Sequence, residues 1–118
     1  MKVAVIGSRN IKINNIGEYL PDGITEIVSG SARGVDMLAR EYAINNRIKL
    51  TEFLPEYEKY ARVAPLKRND KIIDYADEVI ALWNGKSRGT NYVINRCRRI
   101  GKRIYVYIIK SCIIFCNF

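Results

Sequence analysis

The chain has 118 residues, with 20 Lys and Arg against 12 Asp and Glu, three cysteines and no histidine. This length predicts one domain built around one hydrophobic core. A chain without histidine has no Ser-His-Asp triad and no histidine base, and three cysteines without a CxxC pair argue against a zinc site or a disulfide framework. Because Met1 leads directly into an apolar run, we expect a cytoplasmic protein without a signal peptide or a membrane partner.

The net charge of +8 is unevenly distributed along the chain. Residues 1–60 contain eight Lys and Arg and eight Asp and Glu, whereas residues 61–118 contain twelve and four. The second half therefore carries the whole positive excess, which favours an anionic partner, either a nucleotide or a nucleic acid. The alternative is that the charge only keeps the protein soluble.

Short runs rich in Val and Ile alternate with amphipathic windows along the chain. Strands are predicted at residues 2–7, 25–30, 49–54, 77–83 and 103–109. Helices are predicted at residues 15–20, 35–43, 67–75 and 90–100, with a loop at 55–65 and a left-handed cap at Gly101. This alternation, with nearly continuous apolar strands, predicts an α/β fold. We expect a single doubly wound, Rossmann-like parallel sheet with helices on both faces.

The last predicted strand is followed by an apolar tail at residues 110–118. We therefore divide the chain into a Rossmann-like domain, residues 1–109, and this tail. An added edge strand, a contact in a homodimer and a poorly ordered end are three open alternatives for the tail.

Three loops that contain glycine follow predicted strands, at residues 7–10, 29–36 and 84–90, and each contains an arginine. In a doubly wound sheet these loops meet at the carboxyl edge, where ligands bind. Glycine lets a backbone approach closely, helix N-termini present free N–H groups, and Arg offers a forked donor. The three loops together predict a site for a phosphate-bearing anion.

Two familiar nucleotide motifs are absent. The "GKS" at residues 85–87 is not part of a P-loop, because Ile80 occupies the position that requires the first glycine. The "GSRN" at residues 7–10 lacks the two further glycines of the GxGxxG fingerprint, so a hydride-transfer enzyme is unsupported. We expect no bound cofactor and no metal.

The segments "VAVIGSRN", "IVSGSARGVDMLAREYA", "PLKRNDKIIDYADEVIALWNGKSRGT" and "GKRIYVY" resemble the YspA-like branch of the SLOG superfamily of Rossmann-like domains. The match extends in order from Lys2 to Ile109. The resemblance implies a pocket for a nucleotide or nucleotide-derived ligand of the ADP-ribose, NAD or nucleoside monophosphate class. It also implies a sensor or ligand-binding module of largely uncharacterised function.

Carried over position by position, the resemblance implies ligand-binding roles for twelve residues. They are Gly7, Ser8 and Arg9 in the first loop, Gly30, Ala32, Arg33 and Gly34 in the second, Arg68 and Asn69 in "KRND", and Gly85, Gly89 and Thr90 in the third. Backbone N–H groups of the second and third loops would hold phosphate, and Arg9, Arg33 and Arg68 would neutralise it. Ser31 stands where relatives usually carry a second glycine.

Two related families supply alternatives. The DNA-processing protein A family shares the "SGxARGxD"-like loop and binds single-stranded DNA, so the basic second half, including residues 96–103, makes a DNA-binding module the main alternative. The cytokinin-activating phosphoribohydrolases carry a catalytic Glu where this chain has Val93. A nucleotide N-glycosidase or phosphoribohydrolase is therefore the second alternative, and no catalytic residue is assigned.

Some conspicuous residues have simpler explanations. We expect Asp36 to cap or complement the N-terminus of its helix. Trp83 is expected in the core or at the rim of the site, Cys97 in the core, and Tyr57 and Tyr60 as partly buried rings of a surface loop.

Overall fold

The computed structural model describes residues 1–30 and 34–109. They form five parallel strands, β1 (Lys2–Gly7), β2 (Glu26–Ser29), β3 (Lys49–Glu52), β4 (Glu78–Trp83) and β5 (Arg103–Ile108), in the order β3-β2-β1-β4-β5. The predicted Rossmann-like parallel sheet is confirmed. No helix within the described residues is long and apolar enough to cross a membrane.

Within the described residues, four α-helices connect the strands: α1 (Val35–Asn45), α2 (Tyr57–Tyr60), α3 (Ala64–Tyr75) and α4 (Arg88–Ile100). Short 3-10 helices lie at Ile16–Tyr19 and Ala61–Val63. The left-handed cap predicted at Gly101 is confirmed by its φ of 78° and ψ of 18°.

The prediction of a loop at residues 55–65 is wrong. α2 and the second 3-10 helix occupy most of it, and α3 begins at Ala64, three residues earlier than we predicted. Pro65 does not prevent this early start, because a proline in the first turn of a helix removes no intrahelical hydrogen bond. α4 also begins early, at Arg88 rather than at residue 90.

The sheet separates two hydrophobic clusters. Alternate residues of β1 face opposite sides, so Val3 and Val5 pack beneath α1, whereas Ala4 and Ile6 pack beneath α3 and α4. Burial of each aliphatic side chain stabilises the fold by about 1.5–3 kcal/mol. Cys97, fully buried among the α3 and α4 residues, lies in the core as predicted.

A buried carboxylate ties together three elements near the amino edge of the sheet. Glu26, at the start of β2, is 7% exposed and accepts hydrogen bonds from Thr51 Oγ1 at 2.5 Å and the Tyr75 hydroxyl at 2.6 Å. These two hydrogen bonds, aided by Lys49, lower the pKa of Glu26 against the opposing effect of burial. The cluster joins β2, β3 and α3.

The strand order determines where a crevice opens. From β1 the chain continues outward to β2 and β3, whereas β4 lies on the other side of β1 and leads outward to β5. Connections from β1 and β4 therefore diverge, and the carboxyl ends of these two central strands form the switch point at which doubly wound sheets bind ligands.

Candidate functional site

A cavity of about 560 Å³ opens at this switch point. Seven of the twelve predicted ligand-binding residues line it: Gly7, Arg9, Gly30, Arg68, Asn69, Gly89 and Thr90. Ala32 and Arg33 lie outside the described residues. Of the described residues, Ser8, Gly34 and Gly85 belong to the adjoining loops and not to the cavity lining.

Arg68 is the half-buried cation of the cavity wall. Its Nε donates to Asn69 Oδ1 at 2.8 Å, and its Nη1 donates to the Gly30 carbonyl oxygen at 2.7 Å. A guanidinium has five N–H groups, and the described residues supply acceptors for two of them. The others can still form a forked pair of hydrogen bonds with an anion.

The end of β2 is shaped to accept this guanidinium. A Cβ atom added at Gly30 would lie 2.7 Å from Arg68 Nη1 and 2.9 Å from its Cζ. Glycine at this position therefore allows the guanidinium to lie directly against the backbone, from which it enters the cavity.

The charges around Arg68 are mixed. Burial lowers the pKa of the Arg68 guanidinium, nearby Asp36 and Tyr57 oppose this effect, and Arg9 adds to the lowering. Because the pKa of arginine is ordinarily far above neutral, the side chain nevertheless stays charged. The cavity thus keeps a cation at every physiological pH, with one carboxylate close enough to interact with it.

That carboxylate is Asp36, in the first turn of α1. It is 8% exposed and lines the cavity. From the sequence we favoured a role at the helix N-terminus for Asp36 over one in polarising a substrate. Its position in the cavity wall also places its carboxylate within electrostatic reach of Arg68.

The loop after β4 is organised by a side chain that we did not single out. Asn84 Oδ1 accepts hydrogen bonds from the backbone N–H groups of Lys86 and Ser87, both at 2.8 Å. The Asn84 N–H donates to Ser8 Oγ at 3.1 Å, which joins this loop to the first one. The N–H groups of Lys86 and Ser87 are therefore already occupied and are not the ones that would hold phosphate.

The backbone N–H groups that remain for a ligand are those directly after Ser87, at the start of α4. Ser87 occupies the N-cap position without a side-chain capping bond, and the first N–H groups of a helix have no intrahelical acceptor. Trp83 Nε1 donates to the Ser87 carbonyl oxygen at 3.0 Å and holds the turn in place. Gly89 and Thr90, in this first turn, line the cavity.

Two glycines of the loops are explained by packing. An added Cβ at Gly7 would lie 2.5 Å from Val35 Cγ2, so the crossing of β1 and α1 requires glycine. Gly34 has a φ of +76°, and its added Cβ would lie 2.9 Å from Arg9 Cα. Both residues shape the cavity by letting the first two loops approach each other.

Several lining residues were missed by sequence reasoning. Lys86 and Ser87, which we treated as an accidental P-loop resemblance, line the cavity together with Asn10, Asn84, Pro65 and Leu66. The "NG" turn before "KS" was a usable signal for Asn84, because Asn side chains commonly bond to backbone N–H groups two residues on. Pro65 and Leu66 gave no signal, since Pro65 was assigned to the end of a loop and Leu66 to no element.

The basic segment at residues 96–103 is largely engaged within the fold. Arg96 Nε lies 3.2 Å from the Asp70 carboxylate, Lys102 Nζ donates to the Ala76 carbonyl oxygen, and Arg103 pairs with a glutamate of β4. Arg98 and Arg99 are exposed. This end of α4 is opposite the one that lines the cavity, so any nucleic-acid binding there would use a separate surface.

The structure also locates Val93 and Tyr57, two residues discussed in the sequence analysis. Val93, a residue of α4, is fully buried in the cluster between α3, α4 and the sheet and does not line the cavity. Tyr57 is 59% exposed and lies near enough to Arg68 to affect its pKa. Among the described residues, no cluster of His, Cys, Asp and Glu could hold a metal ion.

Comparisons with family models, with curated proteins and with solved structures find no match to this chain.

Proposed function

We propose that the chain binds a nucleotide or nucleotide-derived anion in the cavity at the switch point and acts as a ligand-binding module. The observation that best supports this proposal is the half-buried guanidinium of Arg68 in the cavity wall. Its two hydrogen bonds to Asn69 and Gly30 hold it in place and leave further donors. A cation oriented in this way is suited to an oxyanion.

The rest of the lining is suited to the other parts of such a ligand. The first turn of α4, at Gly89 and Thr90, adds backbone donors and the positive end of the helix dipole for a phosphate group. Ile6, Leu66 and Ile72 supply an apolar wall against which a base could pack. A volume of about 560 Å³ is within the usual range of small-molecule sites.

Titration calorimetry with AMP, ADP-ribose, NAD and a short single-stranded oligonucleotide, at low and high salt, tests the proposal. We expect a mononucleotide or dinucleotide to bind, and Arg68→Met to weaken it about 10- to 100-fold, because a charge-assisted hydrogen bond contributes about 1.5–3 kcal/mol. Lys67→Met is the matched control, since it removes the same charge from an exposed neighbour outside the cavity lining.

Equal losses in the two variants would mean that only net charge matters, and the proposed pocket would be rejected. Binding of the oligonucleotide alone, lost at high salt, would favour the DNA-binding alternative, because phosphate contacts weaken steeply as salt rises.

One observation favours a second candidate, hydrolysis of the N-glycosidic bond, in which water replaces the base at the sugar. Asp36 brings a carboxylate into the cavity wall, although the position of the glutamate in related hydrolases is Val93. Incubation with nucleoside monophosphates and chromatography for free base tests it. Turnover that Asp36→Asn abolishes while binding persists would establish an enzyme, and absence of free base would leave the ligand-binding function alone.

A further inference from the structure

The two outer strands of the described sheet differ in their protection against pairing with another strand. β3 has four residues, begins with Lys49 and ends with Glu52, which forms an ion pair with Arg40 at 2.7 Å. β5 has six residues and one charge, at Arg103. Short length and several charges protect an edge strand from pairing with another sheet, whereas β5 is longer than β3 and carries only the one charge.

The backbone of β5 presents hydrogen-bonding groups at its outer edge. The Ile109 N–H donates to the Trp83 carbonyl oxygen of β4 at 2.7 Å, and in a strand the N–H and C=O groups of residues two apart point to the same side. The corresponding groups of Ile104, Val106 and Ile108 therefore point away from β4. No other strand of the described residues pairs with this edge.

The side chains along β5 are apolar and unusually accessible. Tyr105 is 44% exposed, Tyr107 38% and Ile108 64%. On one face, Tyr107 makes an edge contact with Tyr19, at 5.0 Å between ring centroids. An apolar edge strand with this exposure is typical of a strand that pairs with a partner.

We propose that β5 pairs antiparallel with β5 of a second copy of the chain, centred on Val106, and extends the sheet to ten strands. The three outward-facing residues then become hydrogen-bonded pairs, with Val106 opposite its own copy and Ile104 opposite Ile108 of the partner subunit. Tyr105 lies opposite Tyr107 of the partner subunit, an aromatic cross-strand pair.

The charge within β5, at Arg103, favours this orientation. Antiparallel pairing places the Arg103 side chains of the two copies at opposite ends of the interface, about 20 Å apart at roughly 3.4 Å per residue. Parallel pairing would place these two like charges side by side, which is unfavourable. Each Arg103 also keeps its partner within its own chain, Glu78, at 3.2 Å.

The occupant that competes with a second copy is the chain's own segment at residues 110–118, which lies outside the described residues. For this segment to pair with β5 as a tight hairpin, Lys110 and Ser111 would have to form the turn. Two-residue hairpin turns require positive φ values and strongly prefer Gly, Asn or Asp. The sequence at that point therefore favours the second copy, and the proposal is independent of the ligand proposed for the cavity.

Sedimentation equilibrium of the full chain over a range of concentrations tests the interface. We expect the apparent mass to rise from 13.6 kDa toward twice that value. Val106→Pro should raise the dimer dissociation constant more than tenfold, because it removes a central outward N–H but no hydrogen bond to β4. Val106→Thr is the matched control, since it keeps the N–H and the branched Cβ, and should remain dimeric.

A wild-type chain that stays monomeric at every concentration would overturn the proposal, whether residues 110–118 cover the edge or nothing does. So would a Val106→Pro variant that dimerises like the wild type. If this variant does not fold, Ile108→Lys serves instead, because it adds a charge at a 64% exposed edge position. A folded Ile108→Lys chain should be monomeric, and its dimerisation at wild-type affinity would equally reject the interface.

Discussion

Gly89→Ala should raise the stability of the protein and weaken ligand binding at the same time. Gly89 lies in the first turn of α4 and lines the cavity. A Cβ added there meets no atom of the described residues within 4 Å, so the methyl group enters open space. The substitution therefore has no steric cost within the described fold and adds a group only where a ligand would approach.

The two effects have estimable sizes. Replacing a helical glycine by alanine stabilises by about 0.5–1 kcal/mol, and the first turn favours the lower end of that range. With an unfolding entropy of about 2.1 cal/mol/K per residue, the melting temperature should rise by about 2 °C. If a phosphate approaches the N–H groups of this turn, the methyl group should weaken binding about 10-fold, since one charge-assisted hydrogen bond is lost.

Thermal unfolding measures the first effect and calorimetric titration with the best-binding nucleotide measures the second. Asn91→Ala is the matched control, because Asn91 is an exposed residue of the same helix outside the cavity lining and Ala has the higher helix propensity. It should stabilise without changing affinity. Unchanged affinity in Gly89→Ala would refute phosphate binding at α4, and a lower melting temperature would refute the open environment of Gly89.

Three further predictions concern the supporting structure. Glu26→Gln should lower stability at neutral pH and flatten its decline in acid. Because the pKa of Glu26 is lowered from 4.5, its contribution to the free energy of unfolding is complete above that pH and is lost as the pH falls below it. Denaturant unfolding from pH 7 to pH 3 measures this contribution. Parallel curves of stability against pH for the wild type and the variant would contradict the prediction. Asn84→Ala should lower the free energy of unfolding by about 1 kcal/mol, since the N–H groups of Lys86 and Ser87 lose their acceptor. It should also weaken nucleotide binding. An unchanged free energy of unfolding together with unchanged affinity would show that the loop does not depend on the Asn84 side chain. Cys97→Ser should cost about 1–3 kcal/mol in urea unfolding through burial of a hydroxyl, and a neutral effect would mean that the hydroxyl finds a partner.

The secondary structure could be predicted because its causes are local. β1 was predicted with the bounds that it has, Lys2–Gly7, and the glycine cap at residue 101 follows from the freedom of glycine to adopt positive φ. The segment at residues 55–65 failed for the opposite reason. Its two prolines and charged residues favour a loop, whereas α3 begins early at Ala64, which is fully buried against the rest of the fold, and the four residues of α2 include no buried one.

For the candidate site, too, some features could be predicted from the sequence and others could not. The sequence alone determined that three glycine loops follow strands of one parallel sheet, and therefore that Gly7, Gly30 and Gly89 meet at one edge, since parallel strands bring their carboxyl ends together. Only the tertiary structure decided that Arg68 donates to the carbonyl oxygen of Gly30, 38 residues earlier in the chain, and that Asp36 shares its cavity. Such contacts join segments far apart in sequence, and their geometry depends on how α1 and α3 pack against opposite faces of the sheet, which no local pattern of residues specifies.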